Sequence, residues 1–282
     1  VPANDTIDLD VGYTPDATKL GIAQSAIVTA SSTDTMCQPF FGSVKLSGTA
    51  IDTATDVAVG SYHVCALGSS GNLYCWGGNF DGQLGDGTTN ARYAPELSPE
   101  YGVTGVVAGG YTTCALLNGG AQCWGDNFSG QLGNYTTIQS LYPTGVFGLM
   151  SPTKLSGGAG NRFCALEATG GVQCWGSDAT GAFGVGDNNA SVTSAVVAFG
   201  GLTNAIDVAT NATASCVAVT GGTVLCAGQN TYGQLGDGTN TDSNTPVSVS
   251  GLSSAVAVTT AWGASCARLA SGSGACWGEG SA

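Results

Sequence analysis

The sequence predicts an all-β fold, built as an array or ring of one supersecondary unit repeated about every 50 residues. Three observations carry this. The stretch Cys75-Trp76-Gly77-Gly78-Asn79-Phe80-Asp81-Gly82-Gln83-Leu84-Gly85-Asp86-Gly87-Thr88 returns in altered copies from Cys123, Cys174 and Cys226, and its opening Cys-Trp-Gly returns again at Cys276. Ten of the eleven cysteines fall into five pairs with eight or nine residues between their members. Short β-branched or apolar runs precede these pairs at a similar offset. Units that bury their faces against neighbours form one cooperative body, so the repeat argues against two domains.

Residues 1–42 do not match the repeat and are read as an N-terminal arm; residues 43–282 carry the repeats. In the arm, Thr6 to Val11 alternates with period two, and Leu20 to Ala30 is rich in apolar residues; both predict strands. Val44-Lys45-Leu46-Ser47-Gly48 resembles Val247-Ser248-Val249-Ser250-Gly251 before the last repeat. The run Asp56-Val57-Ala58-Val59-Gly60 predicts a strand, with counterparts at 105–109, 206–209 and 255–258. His63-Val64-Cys65-Ala66-Leu67 and its copies around Cys114, Cys164, Cys216 and Cys266 predict the next strand. A glycine-bearing turn then leads into the strand of the second cysteine, completing a hairpin.

That hairpin sets a register. With Cys65 opposite Cys75, Ala66 faces Tyr74, Leu67 faces Leu73, and residues 68–72 make the turn. Directly opposed residues lie about 4.5–5.5 Å apart, which suits a disulfide. The expected bridges are Cys65–Cys75, Cys114–Cys123, Cys164–Cys174, Cys216–Cys226 and Cys266–Cys276, with reduced core thiols as the alternative. Each bridge closes a short loop and stabilises by about 2–3 kcal/mol. Zinc is disfavoured, because its sites use closer cysteine spacing with histidine companions, and the only histidine is His63. Cys37 has no partner by counting, so it is expected to be unpaired or bonded between molecules. Five cysteine pairs point to an oxidising compartment, and hence to a secreted or cell-surface protein.

Composition narrows the partners. Only 9% of residues are charged, and 19 acids against 6 bases give a net charge of −13. An acidic surface repels phosphate backbones, which argues against nucleic acid. No apolar run approaches 18 residues, so no membrane span is expected. No signal-peptide pattern opens the chain, and a leader would already have been removed.

These residues resemble the regulator of chromosome condensation repeat: a strand ending in Gly, a Cys-Ala-Leu-like strand, a turn, then Cys-Trp-Gly-x-Asn and Gly-Gln-Leu-Gly-x-Gly. The resemblance covers roughly residues 43–282. It implies a β-propeller, here of about five to six blades. The sequence departs from the pattern in three places. The repeats number five, Ala227 stands where Trp is expected, and the last repeat stops before its Gly-Gln-Leu-Gly strand. The nucleotide-exchange activity of the founding member is not implied, since no matching exchange residues can be placed.

No catalytic constellation emerges, and the expectation is a non-enzyme with no cofactor and no metal. His63 stands where the other repeats are read as having Thr113, Phe163, Ser215 and Ser265, and is expected to be a structural histidine bonded to turn backbone. Gly-Gln-Leu-Gly reads as a turn with an inward leucine; the alternative is calcium at Asp81 and Asp86, or around Asp187 and Asp237. Glycosylation sequons occur at Asn4, Asn127, Asn134, Asn189 and Asn211. The leading expectation is an extracellular structural and interaction module that self-assembles into a filament, sheath or appendage. Its arm would close its own ring or add a strand to a neighbour. The alternatives are a soluble protein-binding or inhibitor propeller using loops on one face, and a carbohydrate-binding or calcium-dependent adhesive propeller.

Overall fold

The computed structural model describes residues 25–28, 44–47, 52–117, 119–158, 160–186 and 192–280. Strands β1 (Ser25–Val28) and β2 (Val44–Ser47) pair with each other, antiparallel. Five further sheets follow in chain order. The first holds β3 (Ala54–Val59), β4 (His63–Gly68), β5 (Leu73–Gly77) and β6 (Arg92–Leu97). The second holds β7 (Val103–Ala108), β8 (Thr112–Leu117), β9 (Gly120–Gly125) and β10 (Ser140–Gly145). The third holds β11 (Pro152–Gly158), β12 (Arg162–Glu167), β13 (Val172–Ser177) and β14 (Val192–Ala198). The fourth holds β15 (Ala205–Thr210), β16 (Ala214–Val219), β17 (Val224–Gly228) and β18 (Ser243–Ser248). The fifth has three strands, β19 (Ala255–Thr260), β20 (Ala264–Leu269) and β21 (Gly274–Gly278). Each sheet is an antiparallel meander, and successive sheets pack through their first strands, β3 on β7, β7 on β11, β11 on β15 and β15 on β19. This is the arrangement of propeller blades. No helix among the described residues is long and apolar enough to cross a membrane.

The hairpin register is as expected: Cys65 opposes Cys75, Ala66 opposes Tyr74 and Leu67 opposes Leu73. All five disulfides form within their own sheets, with Cα–Cα separations of 4.0–4.1 Å. Each joins the second strand of a blade to the third. The first strand of each of the five blades also carries a bulge near its start, at Thr55, Thr104, Thr153, Ile206 and Val256. In three of them the threonine hydroxyl donates to the carbonyl of Leu67, Leu116 or Leu166 across the strand pair. A bulge bends and twists its strand more strongly.

The core lies between the sheets. The disulfide face of one blade packs against the tryptophan face of the next: Cys65 and Cys75 share a cluster with Val103, Val106 and Trp124. The leucine of each Gly-Gln-Leu-Gly turn plugs the same joint, with Leu84, Leu132 and Leu235 essentially unexposed. Trp124, Trp175 and Trp277 each donate their indole N–H to the glutamine carbonyl of the preceding turn, Gln83 at 3.0 Å, Gln131 at 2.9 Å and Gln234 at 2.9 Å. The turn glycines must be glycine here. A Cβ on Gly85 would meet the Trp124 indole nitrogen at 2.7 Å, and one on Gly236 would meet Trp277 Cδ1 at 2.7 Å, both at positive φ.

Candidate functional site

Strand direction alternates within a blade, so the turn from first to second strand and the loop from third to fourth emerge at the same end. The backbone joins them: Gly78 N–H donates to Tyr62 O, Asp126 N–H to Tyr111 O, Ser177 N–H to Asn161 O, Gln229 N–H to Thr213 O and Glu279 N–H to Gly263 O. The loops on this face share one internal brace. Asn79, Asn127 and Asn230 are buried, and each side-chain oxygen accepts from the backbone N–H five residues on, at Leu84, Leu132 and Leu235. Their amide N–H groups reach across the loop to Thr88 O, Thr136 O and Thr239 O. In the third repeat Asp178 takes the acceptor part, toward Phe183 N–H. These bonds use the buried asparagine amides of the loop bases, which holds the loops in place.

Those tips carry large rings into solvent. Phe80 follows Asn79 and Phe128 follows Asn127, 68% and 75% exposed. Tyr62 and Trp262 occupy the neighbouring turns, 54% and 65% exposed. Tyr62 stacks on Tyr111 at 4.9 Å and meets Phe80 edge-on at 6.5 Å. Tyr232 lies against Trp262 at 5.9 Å. Two acids from adjacent repeats flank this group. Partial burial, then the charge of Asp126, push the Asp81 carboxyl up. A hydrogen bond with Tyr62, partial burial and the charges of Tyr62, Asp81 and Asp126 push the Tyr111 phenol up. Among the described residues no ion pair reaches Asp81 or Asp126; Arg92 pairs with Asp86 and Glu96, and Lys154 with Asp207. Arg162 is buried and donates to Ser177 O, Asn211 O and the Thr180 hydroxyl, with its guanidinium 5.6 Å above the Phe183 ring. Burial lowers its pKa to about 10, against the opposing pull of Asp178.

Residues 54–83 and 103–131, and again 70–116 and 221–268, match the family described as regulator of chromosome condensation (RCC1) repeat. This chain is an RCC1-repeat β-propeller. A 41-residue stretch is 51% identical to the human E3 ubiquitin-protein ligase HERC2, covering 14% of this chain and 1% of that one. Human WBSCR16 superposes with a TM-score of 0.70 at 19% identity, over 80% of this chain and 62% of that structure. Yeast RCC1 (Prp20), solved with Kap60, gives 0.71 at 18% identity over 84% and 60%. The ectodomain of the Physcomitrella patens receptor kinase CR4 gives 0.50 at 17%, over 83% and 53%. The propeller thus spans about three fifths of the first two solved structures and a very small part of the ligase. At these identities the structures establish the fold.

Several sequence expectations are corrected in this RCC1-repeat propeller. His63 opposes Gly77, so its counterparts are Thr112, Arg162, Ala214 and Ala264, one residue earlier than the sequence alignment placed them. Its partner is not turn backbone. Nε2 lies 2.7 Å from the Thr113 hydroxyl of the next blade, and that hydroxyl donates to Gln83 O at 2.7 Å. The hydroxyl proton is therefore committed, so Nε2 carries the imidazole proton and donates. Nδ1 is buried without a partner, and burial lowers the pKa to about 4. Asp86 and Asp237, named in the calcium alternative, are both engaged within their own loops. Partial burial raises the Asp86 carboxyl, but hydrogen bonds from Thr88, Arg92 and Asn79 outweigh it and hold the group low. Asp237 is engaged by Thr239 and Asn230 in the same way. No group of three or more His, Cys, Asp or Glu among the described residues is placed to hold a metal.

Of the sequons, Asn127 is fully buried, and its amide nitrogen donates within its loop to Asn134, Thr136 and Ile138. Asn211 is buried and donates to Ala261 O. A glycan on either nitrogen would break these bonds, so neither is a glycosylation site in the folded protein. Asn134 is half-buried and uses its oxygen toward Asn127 and Thr136. Asn4, Asn189, Asp187, Cys37 and the Thr6–Val11 strand lie outside the described residues. Sequence reasoning did not single out the exposed rings. Their signal was available, since Phe80 and Phe128 each follow the asparagine of a Cys-Trp-Gly-x-Asn motif.

Proposed function

We propose that this propeller is a non-catalytic protein-interaction module of an oxidising, extracellular compartment, gripping its partner with the loop face. The observation that carries the reading is the set of exposed rings, Tyr62, Phe80, Phe128 and Trp262, held on braced loops at one end of the blades. Aromatic anchors on a rigid base are what protein interfaces use for most of their binding energy. The disulfides favour the compartment. The burial of His63 and its hydrogen bond to Thr113 favour a structural histidine and hence a non-enzyme. As a test, cross-linking in the native source is compared for three proteins. The wild type and a Thr220→Lys/Ser271→Lys variant, altered at exposed turns of the opposite end, are expected to join the same partner. A Phe80→Ser/Phe128→Ser/Trp262→Ser variant is expected to lose it. Retention of the partner by the triple variant would refute the loop face.

A second reading is head-to-tail self-association, the route to filaments. One observation favours it: the two halves of the inter-blade joint are both accessible. Cys276 is exposed and Cys266 half-buried on the fifth sheet, while the cysteines of the other four are buried. Trp76 on the first sheet is half-buried, where Trp124 and Trp175 are buried. Sedimentation of the purified chain at increasing concentration decides it, with a constant monomer mass counting against polymers.

A further inference from the structure

The loop face is not chemically uniform. Around the first two blades the rings come with acids. Asp81 and Asp126 sit on loops of adjacent repeats and both act on Tyr111, which stacks on Tyr62, which in turn meets Phe80. Around the fourth and fifth blades, Tyr232 and Trp262 form a separate pair. Asp126 is tied down, accepting from Phe128 N–H and the Gln131 amide. Asp81 is the freer of the two carboxylates, partly buried and repelled by its neighbour.

A second feature marks the same spot. In the second repeat Gln131 folds under its loop, accepting from Ser129 N–H and donating from Nε2 to Asp126 at 2.7 Å. In the first repeat Gln83 accepts from Asp81 N–H in the same manner, but Gly78 stands where Asp126 stands. The Gln83 Nε2 is left buried with no acceptor. By correspondence with Gln131 and Asp126, the missing acceptor would stand above Gly78, where a Cβ would meet Tyr62 Cβ at 3.1 Å, Tyr62 O at 3.2 Å and Phe80 Cε2 at 3.4 Å. The roof of that space is the Phe80 ring, 68% exposed, a side chain that can change rotamer while the braced loop stays in place.

We infer that this corner, bounded by Tyr62, Phe80, Tyr111, Asp81 and Asp126, binds a basic peptide segment of a partner protein, taking an arginine or lysine side chain. The inference rests on the loop-face reading above and names the partner's chemistry. The cation offsets the negative charge of two adjacent loops, which approach where Gly125 packs on Gln83 and to whose acids, Asp81 and Asp126, no ion pair runs among the described residues. Its aliphatic stem and charge lie on the rings, a contact worth more as water is excluded. A main-chain carbonyl of the same peptide supplies the acceptor that Gln83 lacks, with Phe80 giving way. A neutral sugar would satisfy the rings and the amide but would leave the two like charges unbalanced. A second copy of this chain is a poor source of the cation. It has 6 basic residues, of which Arg92, Lys154 and Arg162 are already engaged within the chain.

The test uses the full, oxidised chain and a fluorescein-labelled peptide with four Arg-Gly units, read by fluorescence anisotropy at physiological salt. Its citrulline analogue keeps the shape and hydrogen bonding and removes the charge. Asp81→Asn is expected to weaken binding of the arginine peptide about fivefold or more, and Phe80→Ala about threefold or more. Asp56→Asn removes the same charge from exposed β3 and is expected to change binding by less than about 1.5-fold. The citrulline peptide is expected not to bind. Equal losses in Asp81→Asn and Asp56→Asn would reduce the effect to net charge and overturn the site. Equal binding of the citrulline peptide would overturn the cation. Displacement of the bound peptide by millimolar methyl glucoside, undiminished in Asp81→Asn, would assign the corner to sugar instead. The loop-face reading is judged separately, by the Phe80→Ser/Phe128→Ser/Trp262→Ser cross-linking. Loss of the native partner there, with no arginine-peptide binding here, would leave the face intact and the basic partner refuted.

Discussion

At the scale of single residues, the side chains that matter most are polar ones placed where the chain has no water. His63 is the clearest case, because it is the only histidine in the chain. Its Nε2–H donates to Thr113, and its Nδ1 has no partner, so protonation would bury an ammonium-like charge with an unmatched donor. The folded pKa is about 4, lowered by burial, against about 6.5 in the unfolded chain. The unfolded state therefore binds the extra proton first, and the stability is fully present above pH 6.5. It is lost as pH falls from about 6.5 to about 4, by an amount on the order of 3 kcal/mol. Urea unfolding at pH 7.5 and pH 5 measures this. In His63→Gln most of the difference between the two pH values should disappear. An unchanged difference would mean that other groups carry it. The asparagines of the loop bases teach a related lesson. Asn127 satisfies the sequon pattern, yet its nitrogen is consumed inside the loop. Sequence spacing cannot report whether an amide is already spent.

At the scale of elements, the repeated hairpin was fully legible, because cysteine spacing and strand alternation fix the register together. The bulge in each first strand was not. It is stabilised by threonine in three blades but falls on Ile206 and Val256 in the other two, so no residue type marks it. The loop brace was half-legible. The motif glycines and asparagines stood out, but their reading as architecture drew attention away from Phe80 and Phe128 beside them. Even the degenerate repeat obeys a packing rule visible only in three dimensions. Three turns place a leucine against a blade that carries tryptophan: Leu84 with Trp124, Leu132 with Trp175, and Leu235 with Trp277. In the third turn the plug is the larger Phe183, and the facing residue is the smaller Ala227, in the same cluster. Pro246 fills the remaining space beside Gly184, 3.1 Å from where its Cβ would stand. Volume is thus roughly conserved across the joint. Ala227→Trp alone should overpack it and cost about 1–3 kcal/mol or more. Adding Phe183→Leu should return part of that loss, giving a favourable coupling in a double-mutant cycle. Independent, additive effects would show that the two side chains do not share the joint.

At the scale of the molecule, the blades are tied near their first strands as well as through their faces. Asp207 on β15 pairs with Lys154 on β11 and accepts from the Val258 N–H on β19 at 2.9 Å, so one buried carboxylate spans three blades. Asp207→Ala would strand that backbone donor and a half-exposed ammonium; a loss of about 2–3 kcal/mol is expected in thermal or urea unfolding. A loss below about 0.5 kcal/mol would mean that the tie adds nothing net.

The same blade-on-blade logic makes the disulfides unequal. In sheets one to four the disulfide face is covered by the next blade, and the cysteines there are at most 1% exposed. On the fifth sheet Cys276 is exposed and Cys266 half-buried. Reduction requires a thiolate to reach a sulfur, so access controls its rate where the bridges are otherwise alike. Mild reduction of the native chain, with alkylation and mass mapping over time, should label Cys266 and Cys276 first. The Cys114–Cys123 and Cys216–Cys226 bridges should follow only with unfolding. Self-association through the end faces would cover the same sulfurs. Protection of Cys266 and Cys276 that grows with protein concentration would then support head-to-tail contact, whereas rapid labelling at every concentration would leave that face free and count against polymers.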